Sequence, residues 1–190
     1  LPRSFTTFCF QYLCNKVNYV VRKSLENAVQ MEYKALTDDM TGAYNKNRLI
    51  ELLNNRERDG QDIAVIYWDV NQLKYVNDNW GHLCGDRLIT EVAKTIQSIA
   101  REEDIVIRYG GDEFLLYVAN GTKEIAEQLI KTWKVRLEEE KKRENYEFPV
   151  SASVGYALGK HSQLKDIIAA ADKDMYANKR ICRESYQSKR

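Results

Sequence analysis

An α+β fold on a mainly antiparallel sheet is predicted by three features of the sequence. A near-continuous apolar strand, IAVIYWDV, runs from Ile63 to Val70. Two short apolar runs flank a Gly-Gly pair in IVIRYGGDEFLLYV, from Ile105 to Val118. Amphipathic helical stretches alternate with these strands, so the order reads β-α-β-β-α-β-α behind a helical lead. Hairpin pairing with helices gathered on one face describes an antiparallel α+β sandwich.

Residues 1–36 form the lead. They hold no Gly, and their one Pro is Pro2. Phe10, Leu13, Val17 and Val20 follow a 3-4-3 spacing, which Val21, Leu25 and Ala28 continue after a one-residue shift. That spacing is an amphipathic helix, either a coiled-coil seam with a stutter or a helix packed on its own domain. TDDMTGAYNKNRLIELLNNRERDG opens with polar turn residues and continues as a helix ending near Gly60. The Ile63–Val70 run is expected to be central and buried, because strands covered on both faces lose their alternation. NQLKYVNDNWGHLCGD reads as a loop with a short helical turn, and RLITEVAKTIQSIAREED as a helix with Leu88, Ile89, Val92, Ile96 and Ile99 on one face. β-Branched and aromatic residues on either side of Gly110-Gly111 predict a hairpin, and tight two-residue turns demand the positive φ that glycine tolerates. Ile125, Leu129, Trp133 and Leu137 mark another helix, FPVSASVGYAL alternates as a strand, and SQLKDIIAAADKDMYANKR closes the chain as a helix.

Composition narrows the function. Twenty-nine Lys and Arg against 28 Asp and Glu leave a net charge of +1, which does not favour a nucleic-acid polymer or an anionic membrane surface as partner. The four cysteines are scattered without a CxxC pair, so neither a zinc site nor a disulfide framework is expected. No apolar run reaches the roughly 18 residues of a membrane-spanning helix, and no membrane contact is expected in this chain. The chain opens on Leu-Pro rather than Met. We expect a piece of a cytoplasmic protein, with a sensor or membrane domain among the parts beyond it.

Asp69 ends the first buried strand, and Asp112 and Glu113 follow the glycine pair. Such a GG-DE turn alone is compatible with solvated charges at a hairpin tip. If the strands are neighbours, however, three acidic groups meet at one sheet edge, where a cation must offset their repulsion. Oxygen ligands with an open site point to Mg²⁺, with Mn²⁺ as a substitute, and a metal pair would lie about 3.5–4 Å apart. Lys74, Lys179 and Arg183 add cations, and cations around carboxylates and metal read as a triphosphate site.

RYGGDEF resembles the signature of the GGDEF family, the diguanylate cyclases. DVNQLKYVNDNWGHLCGD resembles that family's metal-and-guanine segment, TDDMTGAYN its opening, and VSASVGYA and ADKDMYANK its later strand and closing helix. The resemblance covers about residues 37–183, which makes residues 37–190 the cyclase domain and residues 1–36 a signalling and dimerisation helix. It implies a nucleotide-cyclase or polymerase-palm-like sandwich, a central mainly antiparallel sheet flanked by helices. It also implies that Asp69, Asp112 and the Val70 carbonyl hold Mg²⁺, with Glu113 helping. By the same resemblance Asp112 is the base for the 3′-hydroxyl, and Gly110 and Gly111 let the backbone approach the nucleotide. Lys74, Lys179 and Arg183 would face phosphates, Lys74 stabilising the transition state. Asn77 and Asp86 would hydrogen-bond guanine, with His82 near the nucleotide; for Asp86 the competing role is capping a helix that begins near Arg87. Asn71, Leu73 and Lys46 depart from the common pattern, and Lys46 leaves in doubt an ion pair that an Arg would make.

Arg101-Glu102-Glu103-Asp104 is an RxxD sequence ahead of the glycines. In the family this spacing marks an inhibitory product site, and Arg and Asp suit the edge of a guanine. The expected function is condensation of two GTP into cyclic di-GMP and two pyrophosphates by a homodimer, under product inhibition. The rival readings are a catalytically silent module that binds GTP or cyclic di-GMP, and a structural dimerisation segment.

Overall fold

The computed structural model describes the backbone of residues 3–187, and side chains at residue 8 and at 10–180. The chain divides into two units, residues 1–36 and 37–190. The first is a single helix, α1 (Arg3–Leu36), of 34 residues. None of its described side chains is buried, and Leu13, Val17, Val20 and Leu25 are all exposed.

The second unit is built on four antiparallel strands in the order β2-β3-β1-β4: β1 (Asp62–Val70), β2 (Ile105–Arg108), β3 (Glu113–Ala119) and β4 (Ala152–Lys160). β1 lies between β3 and β4, with Asp69 opposite Glu113 on one side and Ser153 on the other. The helices are α2 (Lys46–Asn54), α3 (Leu73–Trp80), α4 (His82–Gln97), α5 (Lys123–Glu144) and α6 (Leu164–Gln187).

Helices cover both faces of the sheet, not one. Ala64, Ile66, Trp68 and Val70 share a core with Leu88, Val92 and Ile96 of α4 and Leu129 and Trp133 of α5. The alternate residues Ile63, Val65 and Tyr67 share a second core with Leu49 and Leu52 of α2 and Ile167, Ala171 and Met175 of α6. Two-sided burial is why β1 reads as an unbroken apolar run. On the second face α6 comes very close to β4. A Cβ at Gly155, which lies opposite Tyr67 in the register, would sit 2.0 Å from the Met175 nitrogen.

Two local expectations need correction. The segment read as a loop holds two helices, and α4 begins at His82, five residues before Arg87. Gly81, at φ 83°, both ends α3 and starts α4, a left-handed conformation that glycine adopts without penalty. The hairpin turn is not the two-residue type either. β2 ends at Arg108 and β3 starts at Glu113, and neither Gly110 nor Gly111 has positive φ.

Candidate functional site

At the end of β1 the topology brings together Asp69, Val70, Asp112 and Glu113. Asp69 and Glu113 face each other across β1 and β3, where directly opposed Cβ atoms stand about 5 Å apart. Val70 donates its N–H to the Asp112 carbonyl at 2.9 Å, so Asp112 follows at the same edge. Its half-buried carboxylate makes no hydrogen bond or ion pair among the described residues. No three Asp, Glu, His or Cys side chains converge there on a common point. The three acids share an edge without forming a closed cage. An oxygen-only, two-carboxylate edge beside the Val70 backbone fits a hard cation that completes its shell with substrate phosphates.

The Glu113 carboxylate is held from two sides. Tyr67, 2% exposed on β1, donates its hydroxyl to Glu113 Oε1 at 2.8 Å. Burial, and then the charge and hydrogen bond of Glu113, hold the Tyr67 pKa well above its ordinary value, so the hydroxyl stays a donor. Glu113 Oε2 lies against Gly110, where a Cβ would come within 2.2 Å. A Cβ at 110 would therefore displace the Glu113 carboxylate rather than strain the turn. Gly111 has open space around it.

Of the predicted phosphate-facing cations, Lys74 and Lys179 have described side chains. Lys179 on α6 reaches the sheet and ion-pairs with Asp69, both side chains more than four-fifths buried. Lys74 is exposed in the first turn of α3. Arg183 falls within α6 but its side chain lies outside the described residues. Lys179 also lines a cavity of about 370 Å³ with Asn71, Gln72, Ser151, Ser153 and Lys141. Asn71 accepts a hydrogen bond from Ser153 at 2.9 Å, and α3 starts above it with no side-chain cap on its first N–H groups. A cavity with two lysines and an uncapped helix start suits an anion.

Asn77, His82 and Asp86 all belong to the α3–α4 pair. A Cβ at Gly85 would meet Asn77 Oδ1 at 1.9 Å, so that glycine leaves room for the Asn77 side chain beside Asp86. His82 and Asp86 are exposed. Asp86 is not a helix cap: it sits in the second turn of α4, whose cap position is Gly81.

Arg101 and Asp104 bind each other at the opposite end of β3. Asp104 Oδ2 accepts from the Arg101 backbone N–H at 3.0 Å and from Nε at 2.9 Å. Oδ1 accepts from Arg101 Nη2 at 2.8 Å and from the Ala119 N–H at 3.2 Å. The Asp104 side chain is 0% exposed and that of Arg101 33%.

The sequence reading missed a clamp at the hairpin tip. Arg108 donates to both oxygens of Asp38 at 3.0 and 3.1 Å, and to the Gly111 carbonyl at 2.7 Å. Thr41 adds its N–H and hydroxyl to Asp38 Oδ1, at 3.0 and 2.7 Å. Burial works to raise the Asp38 pKa, but the Thr41 and Arg108 hydrogen bonds outweigh it and leave the carboxyl below its ordinary value. The only sequence signal was Asp38 three residues before Thr41, a spacing that closes a local side-chain turn. Lys46, where an ion pair was in doubt, instead places Nζ 5.0 Å from the centre of the Tyr109 ring.

Comparison with known proteins gives this edge a context. Residues 35–185 match the family described as diguanylate cyclase, GGDEF domain. The chain is 33% identical over 167 residues to the probable diguanylate cyclase DgcJ of Escherichia coli, covering 82% of this chain and 33% of that protein. It is 34% identical over 149 residues to the cyclic di-GMP phosphodiesterase PdeR of the same organism, covering 76% of this chain and 22% of PdeR. The coiled coil and GGDEF domain of DgcB from Caulobacter crescentus, solved in complex with c-di-GMP, superposes with a TM-score of 0.73 at 25% identity, covering 90% of this chain and 94% of that one. The chain thus spans a third or less of the length of these two curated relatives.

Proposed function

Because the chain belongs to the GGDEF family, we propose that it is a diguanylate cyclase, joining two GTP into cyclic di-GMP with release of two pyrophosphates. The observation that carries this reading is the opposition of Asp69 and Glu113 across β1 and β3, with Asp112 at the same edge. Two carboxylates and the Val70 carbonyl would hold Mg²⁺, with Mn²⁺ as a substitute. The metal, when bound, supplies Lewis-acid polarisation and offsets the charge of the phosphates. Asp112 takes the proton of the attacking 3′-hydroxyl, its carboxylate having no partner among the described residues. Lys179 and Arg183 neutralise the leaving pyrophosphate, and Lys74 the charge that builds up on the α-phosphate. Asp86 accepts from guanine N1–H and its amino group, Asn77 adds a polar contact, and His82 borders the nucleotide. One chain supplies one half-site, so the reaction needs a homodimer, and the exposed apolar row of α1 is the helix we assign to it. Arg101, one-third exposed and backed by Asp104, is assigned to product inhibition.

Because the matched relatives include a protein named as a cyclic di-GMP phosphodiesterase and not a cyclase, the second reading is a silent module that binds GTP or cyclic di-GMP. Incubation of the chain with GTP and Mg²⁺, followed by chromatography, separates the two. Cyclic di-GMP and pyrophosphate are expected. Nucleotide binding without product would select the silent module.

A further inference from the structure

We propose that Tyr67 is a positioning residue, which fixes the Glu113 carboxylate so that one defined oxygen faces the metal. The inference rests on the diguanylate cyclase reading of this edge. Tyr67 stands directly across from Leu115, and Glu113 is its diagonal neighbour on the same face of the sheet. Long side chains reach across such diagonals. The hydroxyl donates to Oε1 at 2.8 Å while Oε2 lies against Gly110. One oxygen of the carboxylate is therefore bonded to β1, and the other lies beside the turn.

The donor is itself held. The Tyr67 ring packs edge-on against Tyr109 at 5.9 Å, and Tyr109 in turn lies under Lys46. Tyr109 also donates its N–H to the Glu113 carbonyl at 2.8 Å, tying backbone and side chain to one unit. Packing alone does not call for the oxygen, because Phe would fill the same strand position and leave no buried hydroxyl to satisfy. A carboxylate with one oxygen engaged by a donor has the other left to present as a single ligand. Groups that orient a ligand in this way are worth about 10–100-fold in metal affinity when removed.

The test uses the whole chain and Mn²⁺ as the probe, with free Mn²⁺ measured by electron paramagnetic resonance beside a non-hydrolysable GTP analogue. Tyr67→Phe is expected to raise the Mn²⁺ midpoint about tenfold or more. Its thermal melt should stay near that of the parent, and in turnover kcat should fall while KM for GTP holds. Tyr117→Phe is the control: that hydroxyl is as buried but bonds to His161. It should leave the Mn²⁺ midpoint unchanged. Gly110→Ala pushes Glu113 from its other side and should weaken Mn²⁺ as Tyr67→Phe does. A wild-type Mn²⁺ midpoint in Tyr67→Phe overturns the proposal, whatever the melt does. If Tyr67→Phe does not fold, a wild-type midpoint in Gly110→Ala overturns it instead. A parent chain that takes up no Mn²⁺ with nucleotide overturns the reading of the edge itself, an outcome no variant can mimic.

Discussion

The two ends of β3 each carry a carboxylate beside a basic residue, yet they are finished differently. At the Ala119 end, Asp104 accepts four hydrogen bonds and is wholly buried. At the Glu113 end, Asp112 has no partner among the described residues and Asp69 has Lys179. A saturated carboxylate has no capacity left for a ligand and holds chain to chain; an unsaturated one keeps its lone pairs for chemistry. The difference gives Asp104 a structural part and leaves the Asp112 carboxylate with open lone pairs, as the proposed reaction requires. It also refines the RxxD expectation: Arg101 presents the accessible surface, and Asp104 is the strut behind it.

The sharpest way to break this contrast is to remove one acid from each end. Asp112→Ala is expected to lower cyclic di-GMP formation by about a thousandfold or more, as loss of both a metal ligand and a base would. Its melting temperature should hold, because no described contact is lost. Asp104→Ala should do the reverse. It strips the Ala119 N–H and the Arg101 guanidinium of their partner, and should cost about 3 kcal/mol in urea denaturation while turnover per folded molecule persists. If Asp104→Ala is as stable as the parent, the strut assignment fails.

A milder variant probes the accessible half of that pair. Arg101→Lys keeps a charge beside Asp104 but loses the planar fork that two-point recognition of a guanine edge needs. The product-inhibition constant should rise about tenfold, the scale of one lost charged hydrogen bond, with little change in initial GTP turnover. Unchanged inhibition would move the product site elsewhere.

Asp38 tests the same logic near the hairpin tip. Its folded pKa is depressed, so its contribution to stability is complete above the ordinary carboxylate range and is lost as pH falls through the depressed value. Asp38→Asn should therefore cost about 1–2 kcal/mol at neutral pH, screening by solvent included. The gap from the parent should close on acidification. A gap independent of pH would mean that the Arg108 clamp does not depend on the charge of Asp38.

Most of the architecture was legible in short-range pattern. Strand β1 announced its two-sided burial through the run from Ile63 to Val70, and the acids were placed at one edge because a hairpin leaves little choice. What escaped has physical causes. Gly81 and Gly85 made the start of α4 look like loop, but one supplies a left-handed junction and the other yields to Asn77. Asp38 and Arg108 lie 70 residues apart, beyond any local pattern. Tyr67 counts as one more apolar strand residue until its hydroxyl is seen on Glu113, since periodicity is blind to a polar tip on a buried ring.

Gly155 has a bearing on how such genes diverge. Any side chain at 155 must push α6 away at Met175, and Lys179 lies one turn further along the same helix. The displacement would reach the Asp69 pair without altering a residue that touches nucleotide. Replacing this strand glycine is therefore expected to lower turnover while RYGGDEF persists letter for letter. Related chains with an intact signature and a bulkier residue at this position are expected to show lower turnover than those with glycine.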